Sequence, residues 1–334
     1  MPHKASYFQK LKNKIVKCNL CPNNCIIKPG QYGSCNARKN INGTLFSMVY
    51  GKPASMAVDP IEKKPLYHFF PGQKVFSIGT TGCNFHCDFC QNWSISQTKD
   101  SEKVKEIITP AQIVKEALRS SCKIIAYTYN EPTIFFEYVL EIAKLARKNK
   151  IRNVLVSNGF ISKEPLEKLL PYIDAANIDL KSFDEDFYKK YCKAKLNPVL
   201  EALKTIKKAK VHLEITNLII PQLNDDLNII NQMCVWISKN LGNNVPLHFS
   251  AFYPHYKMLE TQPTSEDMLL KAKKIAEKNR LKYVYIGNVQ TDNNTYCPKC
   301  KNLLVERNFY TIKQNNILDG LCKFCKEKIE GIWN

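Results

Sequence analysis

From about residue 74 to 287, short runs rich in β-branched and aromatic residues alternate with longer segments whose apolar residues recur three and four positions apart. The first pattern suits buried strands and the second amphipathic helices. Strands are predicted at Lys74 to Gly79, Lys123 to Tyr129, Asn153 to Ser157, Ala175 to Leu180, His212 to Ile220, Pro246 to Phe252 and Tyr283 to Ile286. Thr133 to Lys150 typifies the helices: Phe135, Val139, Ile142 and Ala146 form one stripe, and Glu141, Lys144 and Lys148 lie off it. About six β/α units follow, which predicts an α/β fold with a parallel sheet, a partial (β/α)6 TIM-type barrel. Reactive groups are then expected at the C-terminal ends of the strands.

Residues 1–58 and 291–334 fall outside this rhythm and read as appendages around a core domain spanning 59–290, with a short hairpin over Thr44 to Val58. No apolar run approaches the roughly 20 residues that cross a bilayer, and the start MPHKASYFQK has no secretory pattern, so no membrane association and a cytoplasmic location are expected. Eleven of the 14 cysteines form three local clusters, a distribution that favours metal ligation over disulfides in a chain of this size. Cys122, Cys192 and Cys234 stand alone and are expected to be buried apolar fillers. With 49 basic against 30 acidic residues, the net charge of +19 attracts polyanions or acidic partners. Residues 1 to 40 alone carry eight Lys or Arg and no acid. A solvated basic surface explains the same excess.

Cys83, Cys87 and Cys90 follow the first predicted barrel strand in a C-x3-C-x2-C loop. Thiolates select soft metals and iron–sulfur clusters. A cubane needs four ligands and the loop supplies three, leaving one iron for an exogenous chelate; a zinc site or three unrelated thiols are the bland alternatives. The loop resembles the signature of radical S-adenosylmethionine (SAM) enzymes. The resemblance implies a 4Fe-4S cluster, a one-electron donor of ferredoxin or flavodoxin type, and cleavage of SAM to a 5'-deoxyadenosyl radical that abstracts hydrogen. It also implies cofactor contacts from Phe89 by the adenine, Asn130 and Glu131 in place of a Gly-Gly-Glu-type motif, Ser157 and Asn158 at the third strand end, Asp179 and Lys181 at the fourth, and His248 on a late strand. At each of these the bland alternative is a satisfied polar residue at a strand end.

The resemblance narrows at Asp59-Pro60-Ile61-Glu62-Lys63-Lys64-Pro65-Leu66-Tyr67-His68-Phe69-Phe70-Pro71-Gly72. Together with Cys18-x2-Cys21-Pro-x2-Cys25, Ile220-Pro221-x2-Asn224-Asp225 and Val284 to Val289, this stretch is similar to the AmmeMemoRadiSam system radical SAM enzymes, relatives of pyruvate formate-lyase-activating enzymes. That similarity implies Memo-like and AMMECR-type partners. Read from its residues, the Asp59 stretch is a proline-braced loop, either a plug in the barrel or a substrate-facing lid.

Cys18, Cys21, Cys25 and Cys35 supply four thiolates for zinc or for a second iron–sulfur cluster. Cys297, Cys300, Cys322 and Cys325 form two C-x2-C knuckles 21 residues apart, which favours a zinc ribbon. Three functions compete at this stage: a radical SAM enzyme acting on RNA or protein, a glycyl-radical-enzyme activator, and a zinc-stapled RNA-binding protein. Tyr253, His255, Tyr285 and Asn288 lie near late strand ends and are candidates to face the barrel mouth, with no acid or base role assigned.

Overall fold

The computed structural model describes residues 2–99 and 106–333. Its central sheet has eight strands: β1 (Ser55–Pro60), β2 (Lys74–Gly79), β3 (Ile124–Tyr127), β4 (Arg152–Ser157), β5 (Ala175–Asp179), β6 (His212–Ile219), β7 (Leu247–Ala251) and β8 (Val284–Gly287). They lie side by side in chain order, and among the described residues β1 and β8 do not pair. β2 to β8 run parallel, whereas β1 is antiparallel to β2. Helices α1 (Pro110–Arg119), α2 (Phe136–Lys148), α3 (Lys163–Leu169), α4 (Leu196–Lys208), α5 (Leu227–Leu241) and α6 (Glu266–Lys278) connect the parallel strands. All strand ends that follow the chain direction therefore open at one rim.

Local signals set the boundaries. Thr109 and Gln112 close a capping box with Pro110 in the first turn of α1, and Asp226 and Ser265 cap α5 and α6. The stripe expected on α2 is buried at Val139, Ile142 and Ala146, but its start is a 3-10 turn over Pro132–Phe135. No hairpin spans 44–58. The chain turns earlier, at Asn42-Gly43, where both residues have positive φ and the turn twist matches the flanking strands Arg38–Ile41 and Thr44–Ser47. Ser55–Pro60 is thereby freed to become the edge strand β1.

Neither terminus hangs free of the barrel. Val16, Leu20, Ile27, Ala37 and Leu45 join the same apolar cluster as Phe76, Ile125 and Tyr138. Leu304, Val305, Ile317 and Trp333 pack with Tyr67, Tyr283 and Tyr285 instead. The segment at Phe69 pairs with Ile332, through Phe70 N donating to the Ile332 carbonyl (2.7 Å) and Ile332 N to the His68 carbonyl (2.8 Å). No helix among the described residues is long and apolar enough to cross a membrane.

The proline-braced loop is anchored from inside. Glu214 of β6 is fully buried and accepts from His68 N (2.7 Å) and His212 Nε2 (3.0 Å) on one oxygen, and from Tyr67 N (3.0 Å) and His248 Nε2 (2.6 Å) on the other. His68 Nδ1 faces the Glu330 carbonyl (2.6 Å), so it carries the proton, and Nε2 accepts from the Tyr285 hydroxyl (2.6 Å). Burial lowers the His68 pKa from 6.5 to about 3, against the pull of Glu214. The unfolded chain thus binds the proton first, and stability contributed by neutral His68 is lost as pH falls from about 6.5, by up to ~1.4 kcal/mol per pH unit. Urea midpoints are expected to drop between pH 7.5 and 5.5, and His68→Gln to flatten that slope. Equal slopes in the two proteins would contradict this.

Candidate active site

One cavity of about 810 Å³ lies at the C-terminal rim of the sheet, walled by β6 itself and by the loops after β2 to β5, β7 and β8. Cys83, Cys87 and Cys90 line it together with Phe89, Asn130, Glu131, Ser157, Asn158, Asp179, Lys181 and His248, so residues scattered over 166 positions (248 minus 83, counted inclusively) share one space. Tyr253 and Asn288 line it as well, with the Tyr253 hydroxyl donating to the Asn288 carbonyl at 2.9 Å. Tyr285 is absent from the lining, its hydroxyl held between His68 and Thr295, and so is His255. Tyr285 is the register partner of the cavity-lining His248 and shares its face of the sheet, but it is taken up by the plug residues Tyr67 and His68.

Several polar residues spend their hydrogen bonds on the loops themselves. Asn130 accepts from Thr80 N (3.1 Å) and donates to the Gly82 carbonyl (2.8 Å), fixing the start of the cysteine loop. Glu131, 1% exposed, accepts from Thr133 N (2.9 Å), Ser157 Oγ (2.8 Å) and Asn158 N (2.8 Å). Burial raises its pKa even against these donors. Asn158 Nδ2 reaches Cys83 Sγ at 3.8 Å and Asn84 Oδ1 at 2.9 Å, while Asn84 donates to the Phe160 carbonyl at 2.7 Å. The ends of β3 and β4 thus brace the loop that carries the thiols.

Charge lines the cavity as well. Lys181 Nζ and Asp179 Oδ2 form an ion pair of 2.9 Å. Burial opposes the charge, but Asp179 and the nearby Cys87 hold the Lys181 ammonium above its ordinary range. On the floor, Asp59 receives Lys64 Nζ (2.7 Å), the Tyr129 hydroxyl (2.6 Å) and Lys63 Nζ (3.0 Å), and Lys64 also lies 4.5 Å from the Tyr129 ring centroid. Burial pushes the Asp59 carboxyl up, and these donors overcome it and hold it well below the usual range. Glu62, Lys63, Lys64, Pro65 and Tyr67 line the cavity, so the proline-braced loop plugs the barrel at Tyr67 and His68 and presents its earlier residues to the ligand space.

Sequence reasoning missed two contributors. Phe309 and Tyr310, at the turn of the hairpin Leu303–Asn308/Thr311–Asn315, reach back to the mouth from the C-terminal tail. No local signal in the chain points there, because the approach is set by tertiary packing. Cys192 is buried as expected but is no inert filler: it neighbours Cys87, and its carbonyl accepts from His86 N (2.9 Å) while the Tyr191 carbonyl accepts from Asp88 N (3.0 Å). The Cys192 contact draws the Cys87 pKa down, whereas burial pushes Cys83 and Cys90 up.

The Radical SAM superfamily model matches residues 77–232, from β2 to α5, the segment that carries the three thiols. A Methanocaldococcus jannaschii protein with the provisional name of a glycyl-radical enzyme activating enzyme is 31% identical over 215 residues, 63% of this chain and 77% of its own. This chain belongs to the radical SAM superfamily. A further M. jannaschii protein, uncharacterised, is 47% identical over 330 residues and 98% of each chain. Among solved structures, Streptococcus suis SuiB bound to precursor peptide SuiA superposes with a TM-score of 0.52 at 13% identity, covering 69% of this chain and 51% of that one, a likeness of fold. As a radical SAM enzyme the protein pairs a three-cysteine loop with a charged cavity, and Cys192 neighbours one of those cysteines, Cys87. Hydrogen bonds to ligating sulfur tune a cluster's potential. Cys192→Ala is therefore expected to leave iron content unchanged while shifting the cluster midpoint tens of millivolts more negative in an EPR-monitored redox titration. An unshifted midpoint would refute the tuning role.

Proposed function

We propose that Cys83, Cys87 and Cys90 hold a 4Fe-4S cluster and that the cavity beside them binds SAM. The observation that supports this most directly is the single cavity shared by three thiols of one loop and the Asp179–Lys181 pair. Thiol-only donors suit iron–sulfur ligation, and three of them leave one iron for the amino and carboxylate groups of methionine. When bound, the group supplies an electron that cleaves SAM and yields a hydrogen-abstracting 5'-deoxyadenosyl radical. In this reading Lys181 neutralises the SAM carboxylate, Asp179 orients Lys181, Phe89 packs on the adenine, and His248 closes the inner wall with its Nε2 proton committed to Glu214. Asn130, Glu131, Ser157 and Asn158 offer mostly backbone groups, since their side chains are engaged with one another and with the loop.

The exposed rim aromatics Tyr253, Phe309 and Tyr310 favour a macromolecular substrate, protein or RNA, over a small enclosed one. The Asp59 loop and its similarity to AmmeMemoRadiSam enzymes support work beside Memo-like and AMMECR-type partners, with a ferredoxin- or flavodoxin-type donor. A second reading, activation of a glycyl-radical enzyme, is favoured by the 31% identical relative of that provisional name. The Cys297, Cys300, Cys322 and Cys325 sulfurs lie within 4.8 Å of one another, a spacing that supports structural zinc. Anaerobic reconstitution with iron, sulfide, reductant and SAM tests the proposal: 5'-deoxyadenosine and methionine are expected in equal amounts, and their absence from a protein carrying its iron would sink it.

A further inference from the structure

We infer that Cys18, Cys21, Cys25 and Cys35 hold a second iron–sulfur cluster, seated against the loop of the first and able to pass it electrons. Its existence stands on the residues below; its role as an electron source rests on the proposed cluster at Cys83, Cys87 and Cys90. The four thiols line one pocket with Leu20, Ile27, Ile134 and Arg38. No histidine or carboxylate joins them there, so the donor set is all thiol, which leaves zinc or iron–sulfur.

Spacing separates the two. A zinc ion with 2.3 Å bonds puts tetrahedral sulfurs roughly 3.8 Å apart. The C-terminal cysteines fit that, with Cys297–Cys325 at 3.6 Å and Cys300–Cys322 at 3.7 Å. Among the described residues, theirs is the one Cys, His, Asp or Glu group gathered within 4.8 Å. The N-terminal four share a pocket without closing to that distance, and Cys83, Cys87 and Cys90 behave the same way. A cubane binds each thiolate through a different iron and so holds the sulfurs apart. The same fold thus carries both spacings, and the N-terminal set goes with the iron–sulfur loop.

Charge agrees. Arg38 is 1% exposed in the pocket wall, with Nη1 donating to Cys18 Sγ at 3.8 Å and Nε buried without a partner. Glu137 at the start of α2 pairs with its other side. A buried guanidinium that donates to one of the four thiols suits an anionic sulfur cluster.

Position then gives the cluster a task. Gly82, next to Cys83, has φ +90°, and a Cβ there would stand 2.3 Å from the Cys35 carbonyl. Asn23 Nδ2 also donates to the Asn84 carbonyl at 3.0 Å, and Ser162 N to the Leu20 carbonyl at 3.0 Å. The two cysteine sites are therefore one backbone contact apart. One electron would leave the reduced N-terminal cluster, oxidising it, and enter the other, with no bond made or broken; a low-potential donor protein would replace it. The exposed Lys4, Lys10, Lys12, Lys14 and Lys28 around this module suit an acidic donor.

The test is metal and sulfide analysis with EPR on full-length reconstituted protein and on the Cys83→Ala/Cys87→Ala/Cys90→Ala variant. About eight irons are expected in the first and about four in the second, with about one zinc in each. The variant should keep a reduced-cluster EPR signal, and that signal should be broadened in the unmodified protein by its paramagnetic neighbour. An iron-free variant holding about two zincs would overturn the inference while leaving the first cluster intact. About four irons in both proteins would keep the inference and remove the first cluster instead. Cys25→Ser, at a half-buried position, should lose the second cluster alone; full retention of eight irons there and after Cys21→Ser would also overturn it.

Discussion

Alanine at any one of Cys83, Cys87 or Cys90 is expected to lower SAM-dependent 5'-deoxyadenosine formation by on the order of a thousandfold or more, because the three thiols act as a unit and loss of one member costs nearly the whole. The three arise from one loop, and the flanking structure fixes where each can go. Phe85 N donates to Cys83 Sγ at 3.4 Å, the backbone on either side of Cys87 is pinned through His86 N and Asp88 N, and Cys90 Sγ meets Ser96 Oγ at 3.1 Å. No other cysteine lines the cavity among the described residues. The fold should survive, since the loop is braced by Asn130, Asn84 and Asn158 whether or not metal is bound. Iron analysis, circular dichroism and product assay on each variant check both halves; activity within tenfold of the parent would exclude the loop as the site of chemistry.

Glu214→Ala is expected to destabilise the protein by about 3–5 kcal/mol, the cost of removing one partner from a buried charged network. Four donors converge on that carboxylate, and two of them, Tyr67 N and His68 N, are buried backbone groups of the proline-braced loop. Glu214→Gln should cost less, about 1–3 kcal/mol, because its amide oxygen still serves two donors while its NH2 faces the other backbone N–H. The wild-type carboxylate is held well below its ordinary pKa: burial opposes ionisation, and His212 and His248 overcome it. Its contribution is therefore full above about pH 4.5 and fades as pH falls toward the folded value. Denaturation midpoints of the three proteins at neutral pH decide the matter, and an alanine variant within 1 kcal/mol of the parent would contradict it. Because the same residue ties the proline-braced loop to β6 and to His248, the variant should also disturb the cavity floor.

How far the chain could be read in advance depended on the range of each interaction. The seven parallel strands were legible because most are short runs rich in apolar and β-branched residues buried on both faces, and their ends lie within two residues of expectation. The edge strand β1 was not, because Met56 and Val58 are exposed on it and Asp59 and Pro60 end it, so it lacks a buried-strand pattern. The three-cysteine loop, the strand-end polar residues and the C-x2-C knuckles were legible because ligand spacing is local along the chain. What only the tertiary structure decided lies across large separations. It set Cys192 against Cys87, Arg38 against Glu137, and Glu214 beneath Tyr67 and His68; it also swung Phe309 and Tyr310 over the mouth and drew Tyr285 to the plug. Sequence fixes which atoms can donate, accept or bind metal. Which of them meet, and how far apart the sulfurs of each set are held, follows from how β-strand alternation and core packing close around them.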